Sequence, residues 1–123
     1  MAWSRLPVHT AGFGLVGSMA SLIFAAGAPG HRVVTPATAL LVHHFRTISG
    51  GSYPDLIAAR KYEDFLYGRV VDHLLKHSNL TTETAVRNHL LRDTDCWLTP
   101  DEAIRFGLAD TIQDVPSQQG AIS

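Results

Sequence analysis

The chain has 123 residues, of which 46% are apolar and 17% charged, with a formal net charge of -1. That is enough apolar material for the core of one globular domain, and it excludes a chain disordered by composition. The near-neutral balance supplies no basic field for a nucleic acid, and a lone cysteine, Cys96, excludes both an internal disulfide and a CxxC zinc set.

Residues 7–13 read as a short buried strand and residues 14–17 as the turn that follows it. A helix is expected from about Ser18. Met19, Ala20, Leu22, Ile23, Phe24, Ala25 and Ala26 are apolar almost all round, which predicts burial on most faces, and Gly27 with Pro29 stops the helix. The apolar run 12–28 is shorter than the roughly 20 residues a membrane-spanning helix requires. Arg5 before it and Ala26-Gly27-Ala28 at its end also fit a secretory signal over residues 1–28, although the interspersed glycines and serines dilute its hydrophobicity.

Farther on, residues 32–35 are β-prone, Pro36-Ala37-Thr38 turns the chain, and residues 39–42 form a continuous apolar run of buried-strand length with His43 at its exit. Residues 44–52 form a loop. Ser52-Tyr53-Pro54-Asp55 carries a capping serine and an early acid, so a long helix is expected to about His77, with Leu56, Tyr62, Leu66, Val70 and Leu74 at helical spacing. That stripe is long for one small domain, and the Leu66, Val70 and Leu74 face is expected to lie partly against another subunit. Thr81 or Thr82 caps a shorter helix through Leu91, Thr99-Pro100-Asp101-Glu102 opens another that Gly107 ends, and residues 108–112 form a last strand. Helices alternating with short apolar runs predict an α/β domain over residues 1–113, with a flexible tail over 114–123.

A serine hydroxyl becomes nucleophilic when a base takes its proton and an acid fixes that base. Ser18 sits where a strand and glycine turn deliver it to a helix N-terminus, as in a nucleophile elbow, although Gly17-Ser18-Met19-Ala20-Ser21 departs from the GxSxG pattern. The Met19 amide would then point at a developing oxyanion. His43 or His44 could serve as the base and Asp95 or Asp93 as the acid. Taken singly, each is equally an ordinary residue: a small helix serine, a strand-end histidine, a turn carboxylate. The chain has no phosphate-binding loop and no metal-ligand cluster, so no cofactor is expected.

Three ordered phrases carry a resemblance. Gly14-Leu15-Val16-Gly17-Ser18-Met19-Ala20 leads to Ala25-Ala26-Gly27; Gly30-His31-Arg32 and Pro36 precede Leu40-Leu41-Val42-His43; Asp95-Cys96-Trp97-Leu98-Thr99 precedes Glu102-Ala103 and Gly107-Leu108-Ala109-Asp110. Over residues 7–112 the chain resembles the Clp protease proteolytic subunits. The resemblance implies the C-terminal portion of a crotonase-like α/β fold, a serine endopeptidase with Ser18, His43 and Asp95 as its triad, and Met19 as an oxyanion amide. It also makes the long helix a handle through which heptameric rings of like or sister subunits stack. The implied partners are a Clp ATPase, which holds the nucleotide, and peptide or protein substrates, in the cytoplasm or an organellar stroma or matrix, with no nucleic acid and no membrane. His44-Phe45 stands where the family usually has Gln-Pro. The family's N-terminal strands, and the glycine pair that supplies a second oxyanion donor, are expected to be lacking. A noncatalytic ring subunit is the alternative reading.

Overall fold

Strand β1 (Thr10–Gly12), strand β2 (Leu15–Gly17) and helix α1 (Met19–Ala25) make one pass of the chain, and β3 (Arg32–Val34), β4 (Ala39–Val42) and the long helix α2 (Tyr53–His77) repeat that order. Helix α3 (Glu83–His89), β5 (Cys96–Leu98), α4 (Pro100–Arg105) and β6 (Thr111–Ile112) follow. The structure, a computed structural model, describes residues 1–44 and 50–114. Residues 115–123 of the expected tail, and residues 45–49 of the expected loop, lie outside the described residues.

Each pass gives one strand to each of two three-stranded sheets. The first sheet has the order β1-β3-β6 and is parallel throughout; the second has the order β2-β4-β5, with β2 parallel and β5 antiparallel to the central β4. The α/β expectation therefore holds, with two differences in detail. The segment read as a turn is strand β2: Gly14 alone, at φ 63°, turns the chain, and Val16 then pairs with the buried Leu40. Pairing against a central buried strand overrides the weak intrinsic preference of a glycine-rich run. Residues 96–98, for which the sequence pattern predicts no element, form β5 because Cys96 and Leu98 alternate inward against Val42 and Leu40.

The core is one cluster in which Leu40 and Val42 of β4 join Val16, Phe24, Ala25, Val71, Leu74, Val86, Leu90 and Leu108. Fully burying one such leucine is worth about 1.5–3 kcal/mol. Helix α1 is one-sided rather than buried on most faces: Ser21, Phe24 and Ala25 point inward, while Met19 and Ile23 are exposed. Val16, Phe24 and Ala25 are core residues, so the apolar stretch that also fits a signal is packed into this domain.

Helix α2 begins as expected, the Asp55 carboxylate accepting the Ser52 amide at 2.9 Å. At the end of the stripe Leu74 is fully buried in this chain's own core and Val70 packs against the core cluster, while Leu66 and Val70 also line an open groove with Met19, Leu22 and Ile23 of α1. The exposed apolar residues of α2 are Tyr53, Leu56, Ile57, Tyr62 and Phe65, all in its first half. Thr82 rather than Thr81 caps α3, accepting the Ala85 amide at 3.1 Å, and Thr99 and Glu102 complete the capping box of α4. Gly107, at φ 73°, ends α4 where a Cβ would stand 2.4 Å from Asn79 Oδ1.

An ion pair fastens these elements together. Arg32 on β3 donates through Nε to Asp110 Oδ2 at 2.8 Å and through Nη2 to Oδ1 at 2.6 Å. Its Nη1 reaches the carbonyls of Ala25, at the end of α1, and His77, at the end of α2. Asp110 Oδ2 also accepts the amides of Gly30 and Arg32. Hydrogen bonding from the Arg32 side chain, the largest cause, holds the Asp110 carboxyl below its usual range against a smaller opposing effect of burial.

Candidate active site

The site lies at one end of β4. Gly17 pairs with Leu41 in the β2–β4 ladder, and the Ser18 amide extends it by donating to the Leu41 carbonyl at 3.0 Å. Ser18 then turns the chain into α1 with φ 58° and ψ -125°. Among the described residues it is the one non-glycine residue with positive φ. That conformation costs a residue with a Cβ on the order of 1–3 kcal/mol and persists where its surroundings impose it. Here they are the β2 ladder on one side and, on the other, the Ser21 hydroxyl, which donates to the Ser18 carbonyl at 2.6 Å.

Ser18 occupies the N-cap position of α1, yet its side chain makes no capping hydrogen bond. Ser18 is exposed, and its hydroxyl is not committed to the helix end. Met19 follows as the first helical residue, so its N–H is one of the amides a helix start leaves without an intrahelical acceptor.

Ser18 and His43 line a common small cleft of about 50 Å³, together with Met19, Ser21, Leu22, Val42 and Val70. His43 is the residue after β4, half-buried. Its Nδ1 meets the backbone carbonyl of His44 in a short hydrogen bond. The neighbouring His44 is not a lining residue of the cleft; its ring stacks on Tyr67 of α2, with centroids 5.5 Å apart and planes 15° from parallel.

Asp95 does not line the cleft. Its position follows from the antiparallel ladder, in which Leu41 faces Trp97 and Val42 faces Cys96. The ladder ends at that pair, and the next residues out are His43 after β4 and Asp95 before β5, which a continued antiparallel register would set opposite one another. Asp93 lies two residues beyond that register. Ser18, His43 and Asp95 thus stand at the ends of β2 and β4 and the start of β5, three adjacent strands of one sheet. Beside Asp95, burial raises the Cys96 thiol above its usual range, so it stays protonated, donating to the His89 carbonyl at 3.2 Å.

Two features of the site's surroundings escape a linear reading. The Arg32–Asp110 pair joins residues from two separate phrases, and its only trace in the sequence is an arginine entering an apolar strand. The His44–Tyr67 stack joins residues 23 positions apart, and no local pattern marks it. Among the described residues no group of three or more His, Cys, Asp or Glu side chains is arranged to hold a metal ion, and no helix is long and apolar enough to cross a membrane.

The two-sheet frame with a serine on a strand-to-helix corner defines an α/β chain of the Clp protease fold. A family model described as Clp protease matches residues 1–116, and the chain belongs to that family. It is 31% identical over 114 residues to a protein of Deinococcus radiodurans described as an ATP-dependent Clp protease proteolytic subunit, covering 93% of this chain and 54% of that one. It is 25% identical over 120 residues to ATP-dependent Clp protease proteolytic subunit 2 of Rhodococcus jostii (strain RHA1), covering 98% of this chain and 60% of that protein. The chain thus spans little more than half the length of these relatives.

Proposed function

We propose that this chain is a serine-type peptidase subunit of a Clp protease, in which Ser18 attacks the peptide carbonyl, His43 takes and returns the proton, and Asp95 orients the imidazole and stabilises its charged form. The Met19 amide donates to the carbonyl oxygen as it becomes an oxyanion. In the acylation step the Ser18 Oγ–C bond forms as its proton passes to His43 Nε2; collapse of the tetrahedral intermediate breaks the C–N bond, and the same proton leaves with the amine. Water repeats the sequence to release the acid. The observation that carries this reading is the backbone of Ser18: a strained corner whose hydroxyl caps nothing and which shares a cleft with a histidine.

The relatives' names describe ATP-dependent proteases, and on that ground the partner is a Clp ATPase, with proteins as substrates and peptides as products. The exposed Leu56, Ile57, Tyr62 and Phe65 of α2 support contact with like or sister subunits through this helix. The test of the chemistry is a fluorophosphonate probe applied to the protein isolated from its host, with modified peptides identified by mass spectrometry. Labelling at Ser18, absent in Ser18→Ala and at least a hundredfold slower in His43→Ala, is the expected result. A protein whose Ser18 stays unlabelled in its native assembly is a noncatalytic subunit, and the proposal fails.

A further inference from the structure

We propose that Ser21 is a positioning residue for the Met19 amide, acting through the peptide that joins Ser18 to Met19; the catalytic part of this inference rests on the peptidase reading above. A peptide unit is planar and trans, so its C=O and its N–H point in opposite directions. The carbonyl of this unit belongs to Ser18 and the N–H to Met19. Whatever holds the Ser18 carbonyl therefore aims the Met19 amide. What holds it is Ser21, whose hydroxyl donates to the Ser18 oxygen at 2.6 Å and whose amide donates to the same oxygen at 3.1 Å. With the carbonyl drawn along the helix toward Ser21, the Met19 N–H faces away from α1, off its N-terminal end.

The start of α1 differs here from the other helix starts. At α2, α3 and α4 the N-cap carbonyl accepts the amide four residues on: Leu56 onto Ser52, Val86 onto Thr82 and Ala103 onto Thr99. At Ser18 the amide comes from three residues on, and a side-chain hydroxyl is added to it. At φ 58° and ψ -125°, Ser18 lies outside the regions open to a residue with a Cβ, so the corner is under stress to rotate the peptide that follows it. Its amide side is tied to the Leu41 carbonyl, which leaves the Ser18–Met19 unit as the part that can turn. The Ser21 hydroxyl opposes that turn. By hydrogen bonding to the carbonyl it also polarises the unit and makes the Met19 N–H a stronger donor. Ser21 is 3% exposed and lines the cleft with Ser18 and His43. A hydroxyl has one proton to donate, and that of Ser21 is committed to the Ser18 carbonyl, so Ser21 is not a second nucleophile.

The test uses Ser21→Ala and the equally shaped pair Ser21→Thr and Ser21→Val, of which threonine alone keeps a hydroxyl, all in the full chain. Crystal structures report the direction of the Ser18 carbonyl, and with it that of the Met19 N–H, without reference to any activity. Hydrolysis of a fluorogenic peptide and inhibition by a peptide aldehyde report the oxyanion. With the aldehyde, Ser18 Oγ bonds to the carbonyl carbon, the π pair moves onto the oxygen and the Ser18 proton passes to His43, which imitates the transition state. In Ser21→Ala and Ser21→Val the carbonyl is expected to turn or to split between two orientations, and in Ser21→Thr to stay in place. Turnover should fall about tenfold in the alanine and valine variants, the worth of one net hydrogen bond, with KM within about twofold and aldehyde inhibition weakened in parallel with turnover. That is less than the roughly hundred- to thousandfold loss on deleting an oxyanion donor, because the Met19 amide is re-aimed and not removed. If the added methyl prevents folding in both threonine and valine variants, Ser21→Ala decides, alanine being the best helix former. A Ser18 carbonyl that keeps its direction in Ser21→Ala, a loss confined to KM, or equal losses in Ser21→Thr and Ser21→Val overturns the inference. A carbonyl that turns in a protein hydrolysing no peptide sustains the positioning of the amide and refutes the peptidase reading instead.

Discussion

Replacing Asp110 by asparagine tests whether the Arg32–Asp110 pair fastens the fold. The side chain of Arg32 is 9% exposed and that of Asp110 19%, so the variant leaves a nearly buried guanidinium without its counter-charge and weakens the acceptor for the Gly30 and Arg32 amides. Removing one partner of a buried ion pair costs about 3–5 kcal/mol, and the residual exposure of Asp110 argues for the lower end, about 3 kcal/mol. With an unfolding entropy of roughly 2.1 cal/mol/K per residue, a chain of this length should melt about 12 °C lower. The assay is thermal unfolding followed by circular dichroism at fixed protein concentration. The pH dependence gives a second readout. The folded carboxyl titrates below the unfolded one, so its contribution is fully present above the unfolded value, about pH 4, and is lost as pH falls through the folded value. The difference between the unaltered protein and Asp110→Asn should therefore be constant near neutrality and shrink in acid. A melting difference below about 2 °C at neutral pH, or a larger one that does not narrow on acidification, would refute the reasoning.

Three further outcomes are expected. Ser18→Gly should raise stability by about 1 kcal/mol, read as a higher urea midpoint with unchanged slope, because glycine adopts φ 58° without strain; Ser18→Ala should give no such gain. Phe65→Asp should reduce the particle size seen by light scattering while leaving far-ultraviolet circular dichroism unchanged, since Phe65 is 62% exposed on this chain; an unchanged size places the subunit contact elsewhere. His77 is held below its ordinary value, chiefly by burial and then by His73, Lys76 and Arg32, so the unfolded chain binds this proton more readily and stability should fall as pH drops below about 6.5. His77→Gln should flatten that part of the urea-midpoint profile, and an unchanged slope would remove His77 as its source.

The elements that were legible in the sequence are those whose signals are local. The capping boxes at Ser52 and Thr99, the glycine stop at Gly107 and the apolar run of β4 each lie within a few residues, and the structure has them where they were read. What escaped depends on partners distant in the chain. Leu15-Val16-Gly17 becomes a strand only because Leu40 lies beside it, and Cys96-Trp97-Leu98 because Val42 and Leu40 do. The burial of Leu74 in this chain's core is likewise a long-range feature, since α2 packs against both α1 and α3 and periodicity along α2 alone does not say what covers its stripe. At the site, the choice of His43 over His44 rested on the family resemblance, and the two histidines now have distinct surroundings: one lines the cleft with Ser18, the other lies on Tyr67.

Strand β4 is bonded on both edges, and the candidate residues are counted off from it, Ser18 through Gly17↔Leu41 and Asp95 through Val42↔Cys96. Such a ruler has no half divisions. A single-residue insertion between Asp95 and Cys96 that preserved the inward alternation of Cys96 and Leu98 would carry Asp95 one step out of register with His43, while one in the α3–β5 connection before Arg92 would leave it where it is. Tolerance to length change should therefore switch abruptly along this stretch instead of fading with distance from the serine, so that the boundaries of the site are drawn by hydrogen-bond count more than by proximity.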